Sequence, residues 1–138
     1  MTTKDKLLHF GLLILRVGIG ISIFFHGLPK LTGGVDTWTA IGSSLSAFGI
    51  DFAPTFWGLL AALTESVGGI LFALGLFFRS ATVFLAGMMA VALGTHLMAG
   101  DGFMIYGHAL DLLIVFVATF FIGAGKLSLD NRLLKKKA

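Results

Sequence analysis

Four long runs of apolar residues dominate the sequence and constrain the fold more than any other feature. They cover about residues 7–31, 55–78, 80–99 and 104–125. A helix that crosses a bilayer needs about 20 mostly apolar residues, and each run is long enough. The runs do not alternate apolar and polar residues as barrel strands do. The sequence therefore predicts an all-α fold, a four-helix transmembrane bundle that forms one domain over residues 1–138.

The composition indicates that lipid is the solvent for most of the chain. Residues are 57% hydrophobic and 12% charged, and the mean hydropathy is +0.97, whereas soluble domains are about 25% charged. The sequence has no cysteine, which excludes disulfides, thiol chemistry and cysteine-held metal or iron–sulfur sites. Basic residues cluster at the chain ends and in one turn, a pattern that does not indicate nucleic-acid binding.

Positive charge predicts the orientation. Cytoplasmic loops carry an excess of Lys and Arg, and one side of the predicted bundle holds nearly all of them: Lys4, Lys6, Arg79, Lys126, Arg132, Lys135, Lys136 and Lys137. The other side holds Lys30 and the aromatic residues Trp38, Trp57 and Tyr106, which suit a membrane–water interface. We expect a multi-pass protein of the bacterial inner membrane with both termini cytoplasmic (N-in/C-in), an outer loop at residues 32–54 and a basic cytoplasmic tail at residues 126–138.

The predicted outer loop between the first and second runs contains apolar residues at helical spacing. Trp38, Ile41, Leu45 and Phe48 recur every three or four positions. This spacing is typical of a short amphipathic helix lying on the membrane surface. A polar loop with scattered apolar residues is the alternative interpretation.

Two ionisable residues fall near the centres of the first two runs. Arg16 and Glu65 lie at similar depths when counted at about 1.5 Å per residue. An unpaired charge in lipid costs about 3 kcal/mol on insertion scales, so we predict an Arg16–Glu65 ion pair. Such a pair either fixes the packing of two helices or handles a ligand or proton.

A second polar group lies nearer the predicted outer surface. Histidines close the first and third runs and open the fourth at similar depths. We predict that one polar, ligand-binding pocket gathers His26, Lys30, His96, His108 and Asp111, with Glu65 as its floor. Histidine and carboxylate can hydrogen-bond a quinone carbonyl and pass protons. Histidine can also bind a metal or haem, although the spacing matches no local metal motif. The structural alternative is that these residues are solvated near lipid headgroups.

Three short motifs resemble the DoxX family of small four-helix membrane proteins. Arg16 and the segment His26-Gly27-Leu28-Pro29-Lys30-Leu31 are similar to an R…HG..KL pattern. Glu65-Ser66-Val67-Gly68-Gly69, followed by Gly75-Leu76 and Arg79, resembles E..GG…GL..R. Gly123-Ala124-Gly125-Lys126-Leu127-Ser128-Leu129-Asp130 resembles a G.G..SLD tail.

The resemblance implies a function less sharply than an architecture. Some DoxX proteins are linked to quinone-reducing oxidoreductase systems, and others to oxidative-stress complexes. We therefore expect a redox-linked, non-catalytic subunit that holds a quinone or lipid-like ligand, with a soluble or peripheral partner as the electron source. The alternatives are a non-enzymatic scaffold or assembly factor, and a small solute or ion pathway formed by a homo-oligomer, with Arg16 and Glu65 as its gate.

Overall fold

The computed structural model describes residues 2–135, and these residues form helices without strands. In chain order the helices are α1 (Thr3–Thr32), α2 (Gly34–Ser43), a 3₁₀ helix (Ser44–Phe48), α3 (Pro54–Leu74), α4 (Phe78–Met98), α5 (Phe103–Ile122) and α6 (Leu129–Lys135). Helices α1, α3, α4 and α5 are long and apolar enough to cross a membrane. The all-α class with four apolar helices is therefore confirmed. Lys136 and Lys137 of the predicted basic tail lie outside the described residues.

Helices α3, α4 and α5 form a three-helix layer of uniform height. They contain 21, 21 and 20 residues, and each is therefore about 30 Å long, the thickness of a bilayer core. Short turns join them in alternating directions. We call the end with the α3–α4 turn (residues 75–77) the tail end, and the end with the α4–α5 turn (residues 99–102) the loop end.

The apolar core lies where these three helices meet. The Phe72 ring stacks on Phe78 with centroids 4.9 Å apart and meets the Phe116 ring edge-on at 5.2 Å. Leu85 of α4 and Ile23 of α1 belong to the same buried cluster. In lipid, such close packing rather than water exclusion holds helices together.

Helix α1 contacts α3 along a seam of glycines. A Cβ atom at Gly20 would lie 2.6 Å from the Gly69 carbonyl oxygen, and one at Gly27 would lie 2.6 Å from the Ser66 nitrogen. Side chains at these positions would force the helices apart, so glycine lets the two backbones touch.

The glycine contacts also fix how far α1 is displaced along α3. Gly20 lies opposite Ala73 and Gly27 opposite Glu65 and Ser66. Residue numbers thus rise on α1 as they fall on α3. Helix α1 has 30 residues, about 45 Å at 1.5 Å per residue. Its residues 3–15 consequently extend past the tail end of α3, and its last residue, Thr32, lies level with the first half of α3.

The segment predicted as an outer loop contains the expected short helix. The helical path is interrupted between α1 and α2 at Gly34, whose positive φ of 77° suits glycine. Helix α2 then packs against the first turns of α3. A Cβ at Gly42 would collide with the Pro54 carbonyl, and one at Gly58 with the Trp38 carbonyl. The 3₁₀ helix continues toward α4, where the Phe48 ring covers Gly94. The helix predicted from the apolar spacing is therefore confirmed, and it lies directly on α3.

The contact between α2 and α3 generates the first prediction. Gly58→Ala should lower the free energy of unfolding by about 1–3 kcal/mol, because the added methyl group overpacks against the backbone of α2. The matched control is Gly18→Ala on α1, where a Cβ would meet no atom within 4 Å. Unfolding of both variants by SDS titration in detergent micelles measures the difference. Equal stabilities would contradict the close packing of α2 on α3.

Candidate functional site

The charged residue at the centre of α3 is neutralised by the end of α1. Glu65 is 3% exposed, and Lys30 Nζ donates to its Oε1 at 2.9 Å and Oε2 at 2.7 Å. The Trp38 indole Nε1 donates to the Lys30 carbonyl at 2.9 Å, which ties α2 to the same point. One ion pair therefore joins α1 to α3, and an adjoining hydrogen bond holds α2.

This arrangement corrects the predicted Arg16–Glu65 ion pair. Glu65 lies level with Gly27, about 16 Å along α1 from Arg16 at 1.5 Å per residue. The sequence-based estimate placed both residues at mid-membrane because it centred the first span on its apolar run. The glycine seam instead displaces α1 along α3, so Lys30 reaches the carboxylate and Arg16 does not.

Arg16 lies at the tail end, where it contacts the segment that follows α5. It is 2% exposed, and its Nη2 donates to the Leu127 carbonyl. Its Nη1 lies against Gly75, where a Cβ would collide with it. The Nε and Nη1 atoms are buried and have no acceptor among the described residues. Arg16 thus connects α1 to the α3–α4 turn and to the segment after α5.

Asp130 joins the same segment to the beginning of α4. Its Oδ1 and Oδ2 accept from the Phe77 and Phe78 backbone nitrogens, each at 2.9 Å, and its own nitrogen donates to the Gly75 carbonyl at 2.9 Å. The carboxylate therefore satisfies free N–H groups at the first turn of α4, as an N-cap does. It also supports Phe77, a non-glycine residue with a φ of 46°.

The histidines of α1 and α5 meet in the part of the bundle nearer the loop end. The His26 and His108 rings stack with centroids 5.4 Å apart and an interplanar angle of 27°. Both residues are exposed on the outside of the protein. His26 Nδ1 lies 2.9 Å from the Ser22 carbonyl oxygen. Because a carbonyl only accepts, Nδ1 carries the hydrogen, and Nε2 of the neutral ring is free to accept.

Of the other four predicted pocket residues, Lys30, Glu65 and His96 bind partners of their own. His96 Nδ1 is 2.7 Å from Asp101 Oδ2 across the α4–α5 turn. Asp111 is exposed one turn after His108 on α5. The six predicted pocket residues are consequently divided: Lys30 pairs with Glu65, and His26 stacks on His108 with Asp111 one turn away on α5. His96 pairs instead with Asp101, which was not among the six. Within residues 2–135, no three His, Asp or Glu side chains are grouped closely enough to hold a metal.

Sequence reasoning identified the residues of the tail end without their roles. Arg16, Gly75 and the segment Leu127-Ser128-Leu129-Asp130 belong to three separate motifs, and the structure brings them together at one point. Asp101 was missed, although it lies five residues after His96 on the following turn. That spacing between a histidine at a helix end and an aspartate in the next turn was the available signal.

The correction of the ion pair generates the second prediction. Glu65→Gln and Lys30→Gln should each destabilise the protein, and the double variant should lose less than the sum by about 0.5–3 kcal/mol, because the residues interact directly. Arg16→Gln is the matched control, and its effect should add to that of Glu65→Gln. SDS unfolding of the single and double variants measures both couplings. Coupling of Glu65 to Arg16 rather than to Lys30 would contradict the structure.

Comparison with known proteins assigns the chain to a family. The DoxX family model matches residues 11–98. A curated protein of Haemophilus influenzae, described as uncharacterized, is 32% identical over 149 aligned positions that cover 99% of this chain and 100% of that protein. No solved structure matches the chain. The family match spans α1 to α4, and the relative extends the similarity over the segment that folds back onto Arg16. The chain is a member of the DoxX family.

Proposed function

We propose that this protein is a redox-linked membrane subunit that binds a quinone between α1 and α5, at His26 and His108. The observation that carries the proposal is the stacked pair of exposed imidazoles, 5.4 Å apart on two helices of membrane-spanning length. Polar groups facing hydrocarbon are costly unless a partner satisfies them. A ligand that lies in the membrane and carries its own donors and acceptors would satisfy both rings.

The chemistry of the rings fits a quinone and its reduced form. His26 Nε2 is an acceptor in the neutral ring, since Nδ1 faces the Ser22 carbonyl, and it can take a hydrogen bond from a quinol hydroxyl. A ring nitrogen of His108 can donate to a quinone carbonyl. Quinone reduction consumes two electrons and two protons. The imidazoles and Asp111, on the same face of α5 as His108, would exchange the protons.

The electrons are proposed to come from a soluble or peripheral partner. The sequence has no cysteine and so no thiol of its own for redox chemistry. Membership of the DoxX family is consistent with such a subunit. The protein would then hold the quinone in the membrane while the partner performs the electron transfer.

The proposed orientation places the tail end in the cytoplasm of a bacterial cell. Lys4, Lys6, Arg79, Lys126 and Arg132 all belong to segments at the tail end. Lys30, in contrast, forms an ion pair with Glu65 within the bundle. The positive-inside rule then puts both chain termini on the cytoplasmic side of the inner membrane and the His26–His108 pair nearer the outer leaflet.

A scaffold role is the second candidate, and the internal pairing of charges favours it. Glu65 forms an ion pair with Lys30, and Asp130 accepts hydrogen bonds from the first turn of α4. These contacts hold the bundle together without a ligand. The ion-pathway alternative lacks comparable support, because its proposed gate required Arg16 and Glu65 at one level.

The third prediction tests the quinone site. Protein purified in mild detergent should contain stoichiometric quinone in its organic extract. The His26→Leu/His108→Leu variant should lose about 90% of it, because two hydrogen bonds to the ligand are removed. Liquid chromatography with mass spectrometry of the extract measures the quinone.

His96→Leu is the matched control, since His96 contacts Asp101 at a separate position, and its quinone content should equal that of the unmodified protein. Circular dichroism melts establish that the variants fold. An unmodified protein that carries phospholipid but no quinone would contradict the proposal and support the scaffold role.

A further inference from the structure

A cavity of about 760 Å³ opens at the tail end, between the α3–α4 turn and the segment that follows α5. Apolar side chains line part of it, and two of them, Phe77 and Leu133, are more than half exposed. Arg79 and Ser80, in the first turn of α4, are exposed and line the same space. The cavity therefore joins a cation to apolar surface, a combination that suits an amphipathic anion.

The guanidinium group of Arg79 is held by an aromatic ring. Its Cζ lies 5.7 Å from the centroid of the Phe120 ring, within the range of a cation–π interaction. Arg79 belongs to none of the ion pairs within residues 2–135. Because the ring contacts only one face of the planar group, the N–H groups at its edge stay available. A guanidinium in this position can donate two parallel hydrogen bonds to the oxygens of one phosphate.

The acidic side chains at the tail end already have partners. Asp130 accepts from the Phe77 and Phe78 backbone nitrogens, and Asp5 accepts from the Thr2 nitrogen. The other acidic residues of the sequence lie at the middle of the bundle or toward the loop end. A second copy of the chain in the same orientation would therefore bring no free acidic side chain to Arg79. The anion that pairs with this residue has to come from another source.

The charges around the cavity favour a ligand with a net negative charge. Lys126 and Arg132 are exposed and adjoin the lining residues Gly125 and Leu133 in sequence. The carboxylate of Asp130 also lines the cavity, but it is bound to the first turn of α4. The ammonium group of a zwitterionic lipid would thus meet cations and no free carboxylate. Basic pockets between membrane helices bind anionic lipid headgroups for this reason.

We infer that this cavity binds one anionic glycerophospholipid, whose phosphate accepts hydrogen bonds from Arg79 and whose acyl chains lie against Phe77 and Leu133. Arg79 is the second residue of α4, a helix of 21 residues that matches the thickness of a bilayer core. Its guanidinium group therefore lies at the level of the lipid phosphates. A free phosphate would leave the apolar lining uncovered, whereas a phospholipid covers it. The site is independent of the His26–His108 stack, which lies nearer the loop end.

Native mass spectrometry of the full chain tests the inference, in mild detergent with equimolar phosphatidylglycerol and phosphatidylcholine of the same acyl chains. The unmodified protein should retain one phosphatidylglycerol in preference to phosphatidylcholine. Arg79→Gln should weaken phosphatidylglycerol retention about tenfold, because it removes charge-assisted hydrogen bonds. Ser80→Glu should also abolish the preference, since a carboxylate beside Arg79 would compete with the phosphate. An acidic residue is favourable in the first turn of a helix, so this second variant tests the site even if Arg79→Gln fails to fold.

Lys6→Gln is the matched control. It removes one exposed positive charge at the same end of the bundle, but Lys6 lies on α1 and does not line the cavity. This variant should keep the preference for phosphatidylglycerol. Three results would overturn the inference: equal retention of the two lipids by the unmodified protein, equal losses in the Lys6 and Arg79 variants, or a protein dimer without bound lipid that Arg79→Gln dissociates. The quinone content of the histidine variants concerns the other site.

Discussion

The contact between α1 and α3 sets the positions of Arg16 and Lys30, the two charged residues of α1 that lie within the bundle. Gly20, Gly27 and Gly69 have no side chains where the two helices touch, and the backbones approach to van der Waals distance. In lipid, where hydrophobicity does not distinguish one helix neighbour from another, such close packing decides which surfaces associate. The seam permits one displacement of α1 along α3. That displacement places Lys30 at Glu65 and Arg16 at the tail end.

The two positions then have different physical tasks. At the centre of α3, Lys30 neutralises a carboxylate that would be costly to bury alone. At the tail end, Arg16 and Asp130 hold the segment after α5 against the α3–α4 turn through backbone contacts. The residues that resemble the DoxX motifs are concentrated at these two sets of contacts, the Lys30–Glu65 pair and the tail end. The exposed His26–His108 stack lies outside both, which separates the proposed ligand chemistry from the packing of the bundle.

The sequence predicts the helices well and the contacts between them poorly. Apolar runs determine which segments become long helices, and the spacing of Trp38, Ile41 and Leu45 correctly indicated helical structure over α2 and the 3₁₀ helix. Helical periodicity carries no information about how far one helix slides along another, so the Arg16–Glu65 pair was predicted in error. The depths estimated from residue positions correctly placed His26 and His108 together, because both lie near helix ends. It failed for His96, whose partner Asp101 lies in a turn.

The position of α1 against the segment after α5 can be tested by disulfide cross-linking, because the chain has no cysteine of its own. A Cβ at Gly125 would lie 3.5 Å from the Leu12 Cβ, within the range that a disulfide spans. Oxidised membranes that contain Leu12→Cys/Gly125→Cys should yield an intramolecular disulfide, identified by peptide mass spectrometry. Gly11→Cys/Gly125→Cys should not, since Gly11 faces no neighbouring atoms. Absence of the first cross-link, or equal yields from the two pairs, would contradict the placement of Arg16 against the segment that follows α5.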